Sequence, residues 1–150
     1  MIYIKKLFYL LLPIITGTII GLIISSFIDY NSLVKPPLSP PGFIFPIVWS
    51  IIYILMGISY LIFKNNNFYT KKEDKVYYTQ LIVNLLWSIF FFVFKWRLFT
   101  IFWTILLLIL VIYMIYLFYN KTKISAYLNI PYLLWLIFAT YLTIGVYILN

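Results

Sequence analysis

The chain has 150 residues, 65% of them hydrophobic and 9% charged, with a mean hydropathy of +1.06 and a net charge of +8. So little polar surface cannot cover a water-soluble globule, and the composition predicts an all-α integral membrane protein. Zero cysteines exclude disulfides, thiolate metal sites and a cysteine nucleophile, and zero histidines remove the commonest general base and metal ligand, so neither a metal centre nor a resident cofactor is expected.

An apolar stretch of roughly 20 residues crosses a bilayer, and residues 7–28, 43–63, 76–94, 98–119 and 124–149 each qualify, predicting one five-transmembrane-helix bundle. The first stretch follows Lys5 and Lys6 as a signal peptide would. It is longer than a usual signal core and no A-x-A-like cleavage site follows, so it is read as a retained helix. Lys and Arg distribute over alternate sides as eight against three. The positive-inside rule then puts the N-terminus in the cytoplasm and the C-terminus outside, in a multi-pass cell-membrane protein, and the basic residues need no nucleic-acid partner. Asp29, Glu73 and Asp74 are the only carboxylates, all expected in connectors, which argues against a proton-driven pump.

In the first helix Gly17 and Gly21 have the small-xxx-small spacing. It suits packing within the chain or a homodimer seam. Pro13 is expected to soften the early turns of this helix, and Ser25 and Ser26 to bond back to its backbone. Next comes KPPLSPPGFIFPIVWSIIYILMGIS, with five of the seven prolines at Pro36, Pro37, Pro40, Pro41 and Pro46. Fixed φ angles and missing amide donors make this connector stiff. It reads either as turn chemistry between helices or as a lid over a pocket for a flat apolar ligand. Phe45, Trp49, Tyr53, Met56 and Tyr60 follow at spacings that keep them on one helical stripe, open to helix packing or to ligand contact.

Asn65, Asn66 and Asn67 and the KKEDK run read as a solvated loop. The third helix then brings Gln80, Asn84, Trp87 and Phe91 to one face. Side-chain amides in hydrocarbon must be satisfied, either by another helix or by the polar edge of a ligand. The fourth helix reads as scaffold, preceded by Lys95, Trp96 and Arg97 as an interfacial anchor. In the fifth, Pro131 predicts a kink, and Tyr132, Trp135, Ala139 and Thr143 form a stripe with a gap at Ala139.

KPPLSPPGFIFPIVWSIIYILMGIS, QLIVNLLWSIFFF and AYLNIPYLLWLIFATYLTIGVYILN, in this order over nearly the whole chain, resemble the TspO/translocator protein family, also called tryptophan-rich sensory proteins or peripheral benzodiazepine receptors. The resemblance implies a five-helix bundle, commonly dimeric, with a cavity closed by the first loop that takes porphyrins and other flat aromatic molecules. By position, Trp49 and Trp135 match the tryptophans that flank the ligand and that in a bacterial relative are linked to light-dependent breakdown of protoporphyrin IX. Tyr30, Asn84, Phe90 and Ala139 match further pocket positions. With the residues marked by loop and stripe, the candidate ligand-binding set is Tyr30, Pro41, Phe45, Trp49, Tyr53, Gln80, Asn84, Trp87, Phe90, Trp135 and Ala139, with Trp49 and Trp135 catalytic if the protein is an enzyme.

The chain departs from the family at Leu38 and Tyr147, where tryptophan is common, and at Thr143, where asparagine is common. Leu38 is expected to remove one stacking surface from the lid. Tyr147 is followed only by Ile148, Leu149 and Asn150, which lacks the basic residue of the cholesterol-recognition pattern. The expected function is therefore tetrapyrrole binding for sensing, sequestration or transfer. A light-dependent protoporphyrin-degrading enzyme is the alternative, and a transporter subunit or scaffold ranks below both.

Overall fold

The computed structural model describes residues 2–66 and 69–150, so Asn67 of the expected second connector lies outside the described residues. Helix α1 spans Ile2–Ile24, α2 Ile44–Asn65, α3 Lys71–Ser88 with a π-turn over Ile89–Val93, α4 Arg97–Lys121, α5 Lys123–Tyr127 and α6 Ile130–Leu149. Five helical segments, with α5 and α6 together forming the last, are long and apolar enough to cross a membrane. The protein is an all-α, multi-pass membrane bundle, with no strand among the described residues.

Chain order is not spatial order. α1 lies against α2 and α3, α3 against α4, α4 against α5 and α6, and α5 against α2, which closes a ring. α1 and α2 approach closely at Gly57, where a Cβ would sit 2.2 Å from the Leu10 carbonyl oxygen. Only a glycine lets the two backbones touch there. The expected seam at Gly17 and Gly21 has another use. A Cβ at Gly17 would meet the Tyr53 ring at 2.4 Å, whereas one at Gly21 would meet nothing within 4 Å.

Two boundaries differ from expectation for physical reasons. The KKEDK run is not a loop but the first turns of α3. Thr70 is the N-cap and Glu73 the N3 residue of a capping box, Glu73 accepting from the Thr70 amide at 2.8 Å. Glu73 and Asp74 therefore belong to the helix. Asp74 accepts from Lys64 Nζ at 3.0 Å and from the Tyr60 hydroxyl at 2.7 Å, tying α2 to α3. The last segment is not kinked inside a continuous helix. It breaks at Leu128 and Asn129, and Pro131 sits in the first turn of α6, where its missing N–H costs little.

The polar groups around this break are met by α2. Ser59 Oγ donates to the Ser125 carbonyl at 2.6 Å, Ser125 Oγ to the Ser59 carbonyl at 2.9 Å, and Asn129 Nδ2 to Ser59 Oγ at 2.7 Å. Below the middle of the bundle the core is dense and aromatic. Tyr60 stacks on Tyr77 at 3.8 Å between ring centroids, and Phe63 stacks on Phe118 at 4.3 Å. Toward the other end, where the connector of residues 25–43 (loop 1) lies, the helices part around a cavity.

Candidate functional site

The cavity has a volume of about 1130 Å3, enough for a drug-sized or macrocyclic molecule. The second half of α1, loop 1, the first half of α2, the end of α3 and the middle of α6 wall it. Its lining is mostly apolar, and three aromatic residues of α2 and α6 set its shape. Trp49 and Trp135 meet edge to face, with ring centroids 6.5 Å apart and planes at 89°. Phe45 packs edge-on against Trp135 at 5.6 Å, and Tyr30 of loop 1 against Phe45 at 4.9 Å. The α2 stripe delivers Phe45, Trp49 and Tyr53 to this space, and continues as Met56 and Tyr60 into the sealed core.

The floor is a chain of hydrogen bonds. The Tyr53 hydroxyl donates to Asn84 Oδ1 at 2.7 Å, Asn84 Nδ2 to the Tyr132 hydroxyl at 2.6 Å, and Tyr132 to Gln80 Oε1 at 2.8 Å. Asn84 is thus engaged at both ends of its amide, which holds the Tyr53 ring level above Gly17. Gln80 does not line the cavity. It lies one turn below Asn84, fully buried, with Nε2 3.5 Å from Met56 Sδ.

Phe90 does not line it either. Asn84, Trp87 and Phe91 follow the helical repeat and face inward, whereas Phe90 is turned toward α4 and packs on Trp103 at 5.0 Å and Trp96 at 5.8 Å. Trp87 presents its ring to the cavity and donates its indole N–H to Thr104 at 2.6 Å, so α4 positions a wall residue rather than serving as inert scaffold. Tyr30, Pro41, Phe45, Trp49, Tyr53, Asn84, Trp87, Trp135 and Ala139 are all on the wall. Phe91 and Asp29 are among the further wall residues that were not singled out as site residues. The spacing of Phe91 from Trp87 carried that signal, but nothing in the sequence marked Asp29.

Loop 1 is strapped to α6. The Tyr141 hydroxyl donates to the Pro37 carbonyl at 2.7 Å, Asn150 Nδ2 to the Val34 carbonyl at 2.8 Å, and the Val34 amide to Asn150 Oδ1 at 3.1 Å. Pro36 seats where a Cβ on Gly145 would lie 2.5 Å from its ring. The Tyr30 hydroxyl donates to the Pro40 carbonyl at 2.6 Å, and burial pushes this phenol above its ordinary range. Leu38 is 86% exposed at a positive φ of 69° and is not on the cavity wall. Leucine there alters the outer face of the loop, so the stacking surface expected to be missing from the lid is not one that faces the cavity. Thr143 is on the wall but donates to the Ala139 carbonyl at 2.7 Å.

Two polar atoms of wall residues, Asp29 Oδ1 and Trp135 Nε1, have no protein partner. Trp135 Nε1 is buried and donates to nothing. A buried N–H left unpaired costs about 1–3 kcal/mol, and this one belongs to a ring that walls the cavity.

The all-helical membrane fold agrees with the comparisons to known proteins. A model of the TspO/MBR family matches residues 9–149. The chain belongs to the TspO/MBR family. It is 38% identical over 122 residues to the tryptophan-rich protein TspO of Archaeoglobus fulgidus, covering 81% of this chain and 79% of that one. It is 34% identical over 125 residues to the TspO of Chlorobaculum tepidum, covering 81% and 78%. A Rhodobacter capsulatus relative, protein CrtK, is 32% identical over 135 residues, covering 87% and 83%. In this TspO/MBR protein the tryptophan of α2, Trp49, and that of α6, Trp135, are in mutual contact.

Proposed function

We propose that the cavity binds a flat conjugated macrocycle of the porphyrin type, for sensing, sequestration or transfer. The observation that carries this reading is the edge-to-face Trp49–Trp135 pair beside a buried, unpartnered indole N–H on the wall of a large apolar cavity. Aromatic faces reward a planar π-system, and Trp135 offers one donor to a ring or rim acceptor. The experiment is a dark titration of the purified protein with protoporphyrin IX, followed by tryptophan fluorescence and the porphyrin absorption band. Saturable quenching that is lost when Phe45 and Trp135 are both replaced by alanine is the expected result. No saturable binding refutes the reading.

The same pair favours a second reading, light-dependent breakdown of the bound porphyrin. Two oxidisable indoles in contact beside an excited macrocycle need neither metal nor histidine. Illuminating the titrated sample separates the two functions. Loss of the absorption band only with protein present, abolished by replacing Trp49 and Trp135 with phenylalanine while binding persists, marks an enzyme. Binding without such loss marks a sensor or carrier.

Two further parts of this reading concern the whole protein in the membrane. The charge distribution supports an N-terminus in the cytoplasm with loop 1 facing outward. Family resemblance supports a homodimer. Gly17 and Gly21 line the cavity, so a dimer seam would use another face.

A further inference from the structure

The loop 1 face of the bundle carries three of the eleven cationic side chains, Lys35, Lys95 and Arg97, and the other eight lie on the opposite face. All three converge on the rim of the cavity. Arg97 Nη2 donates to Asp29 Oδ2 at 2.7 Å, and Lys95 Nζ stands 3.8 Å from the same oxygen. Lys35 Nζ donates to the Tyr30 carbonyl at 3.0 Å and lies 4.6 Å from the centre of the Tyr30 ring, itself part of the wall. Asp29 is the only charged residue lining the cavity among the described residues, and the only side-chain carboxylate on this face.

Alone, Asp29 would repel an anion. Arg97, at 16% side-chain exposure, is close enough to neutralise it, and two cations are then left over at the rim. Lys95 is held in the left-handed region at φ 57°, with its side chain 57% exposed. That backbone is costly for a residue other than glycine, and the ammonium it carries stands beside Asp29 of the cavity wall. The result is an apolar aromatic chamber with excess positive charge at one edge.

We propose that this rim is an anion site that holds the carboxylates of the cavity's ligand. Lys95 and Lys35 are the anchors, and Arg97 is a positioning residue that masks Asp29. The fitting ligand is an amphipathic disc, with an apolar conjugated face against Trp49 and Trp135 and one or two acid groups along a single edge. This rests on the porphyrin-type reading above and adds to it a preference for the free acid and an orientation with the acid edge at loop 1.

The test compares protoporphyrin IX with its dimethyl ester in nanodiscs of phosphatidylcholine alone, using the wild-type protein and the double variant Lys35→Gln, Lys95→Gln. The wild type should bind the acid roughly three- to tenfold more tightly than the ester, the scale of one or two exposed ion pairs, with the gap narrowing as salt is raised. In the double variant the gap should close through weaker acid binding, with the ester unchanged and so reporting an intact cavity. Equal binding of acid and ester by the wild type, or a gap that persists in the double variant, overturns the anion site and leaves the cavity reading standing. Binding of neither compound overturns both. If the double variant alters only retention of added phosphatidylglycerol, with the acid–ester gap intact, the rim is a lipid-headgroup site and the proposal fails.

Discussion

At the scale of single residues, Trp135 decides the most. Its buried N–H has no protein partner, so it adds no hydrogen bond to the fold and can serve a ligand. Trp135→Phe should leave thermal stability in detergent unchanged or slightly raised while weakening dark porphyrin binding about fivefold, the worth of one hydrogen bond. Differential scanning fluorimetry and titration read these separately. Lost stability with unchanged affinity would show the indole N–H to be structural. Tyr30 gives a pH prediction. Its phenol is pushed above the ordinary value of 10.0 by burial, so the neutral, loop-holding form is favoured in the fold. Its contribution is fully present below pH 10 and is lost as pH rises toward the raised value. Loop 1 should therefore loosen only on the alkaline side, and Tyr30→Phe should remove that part of the pH dependence, measured as proteolytic nicking of the loop. The pocket aromatics were legible because their spacing repeats every turn. Asp29 was not, since its place on the wall depends on a loop path that no periodicity records.

At the scale of elements, three glycines with the same chemistry have different tasks. Alanine at Gly57 puts a methyl group into the Leu10 backbone, which cannot yield without parting α1 from α2. Alanine at Gly17 meets a ring whose hydroxyl is tied to Asn84, and alanine at Gly21 meets open space. Stability should fall in the order Gly57→Ala, then Gly17→Ala, with Gly21→Ala neutral. The first should cost about 1–3 kcal/mol, the scale of overpacking a close contact. Unfolding in mixed micelles measures the order, and equal losses at all three sites would contradict it. The start of α3 was readable in principle, because Thr70 and Glu73 have capping-box spacing.

At the scale of the whole molecule, the unequal charge of the two faces sets a testable orientation. The natural chain has no cysteine, so single cysteines report cleanly. Asn150→Cys should react with a membrane-impermeant maleimide in intact cells and Lys6→Cys only after lysis, and the reverse pattern would invert the assignment. Sequence by itself determined that the chain crosses the bilayer five times, because hydrophobic length is a local property, and that five of its seven prolines stiffen the connector between the first two spans, because their place is read directly from chain order. Only the tertiary structure decided which side chains share a space. The ring order of the helices turned Phe90 toward α4 and sank Gln80 beneath the floor. It also brought Lys35, Lys95, Arg97 and Asp29 from two separate connectors to one rim. Those outcomes depend on the rotation of each helix and on contacts between residues distant in sequence, which are set by packing and not by any residue's own preference.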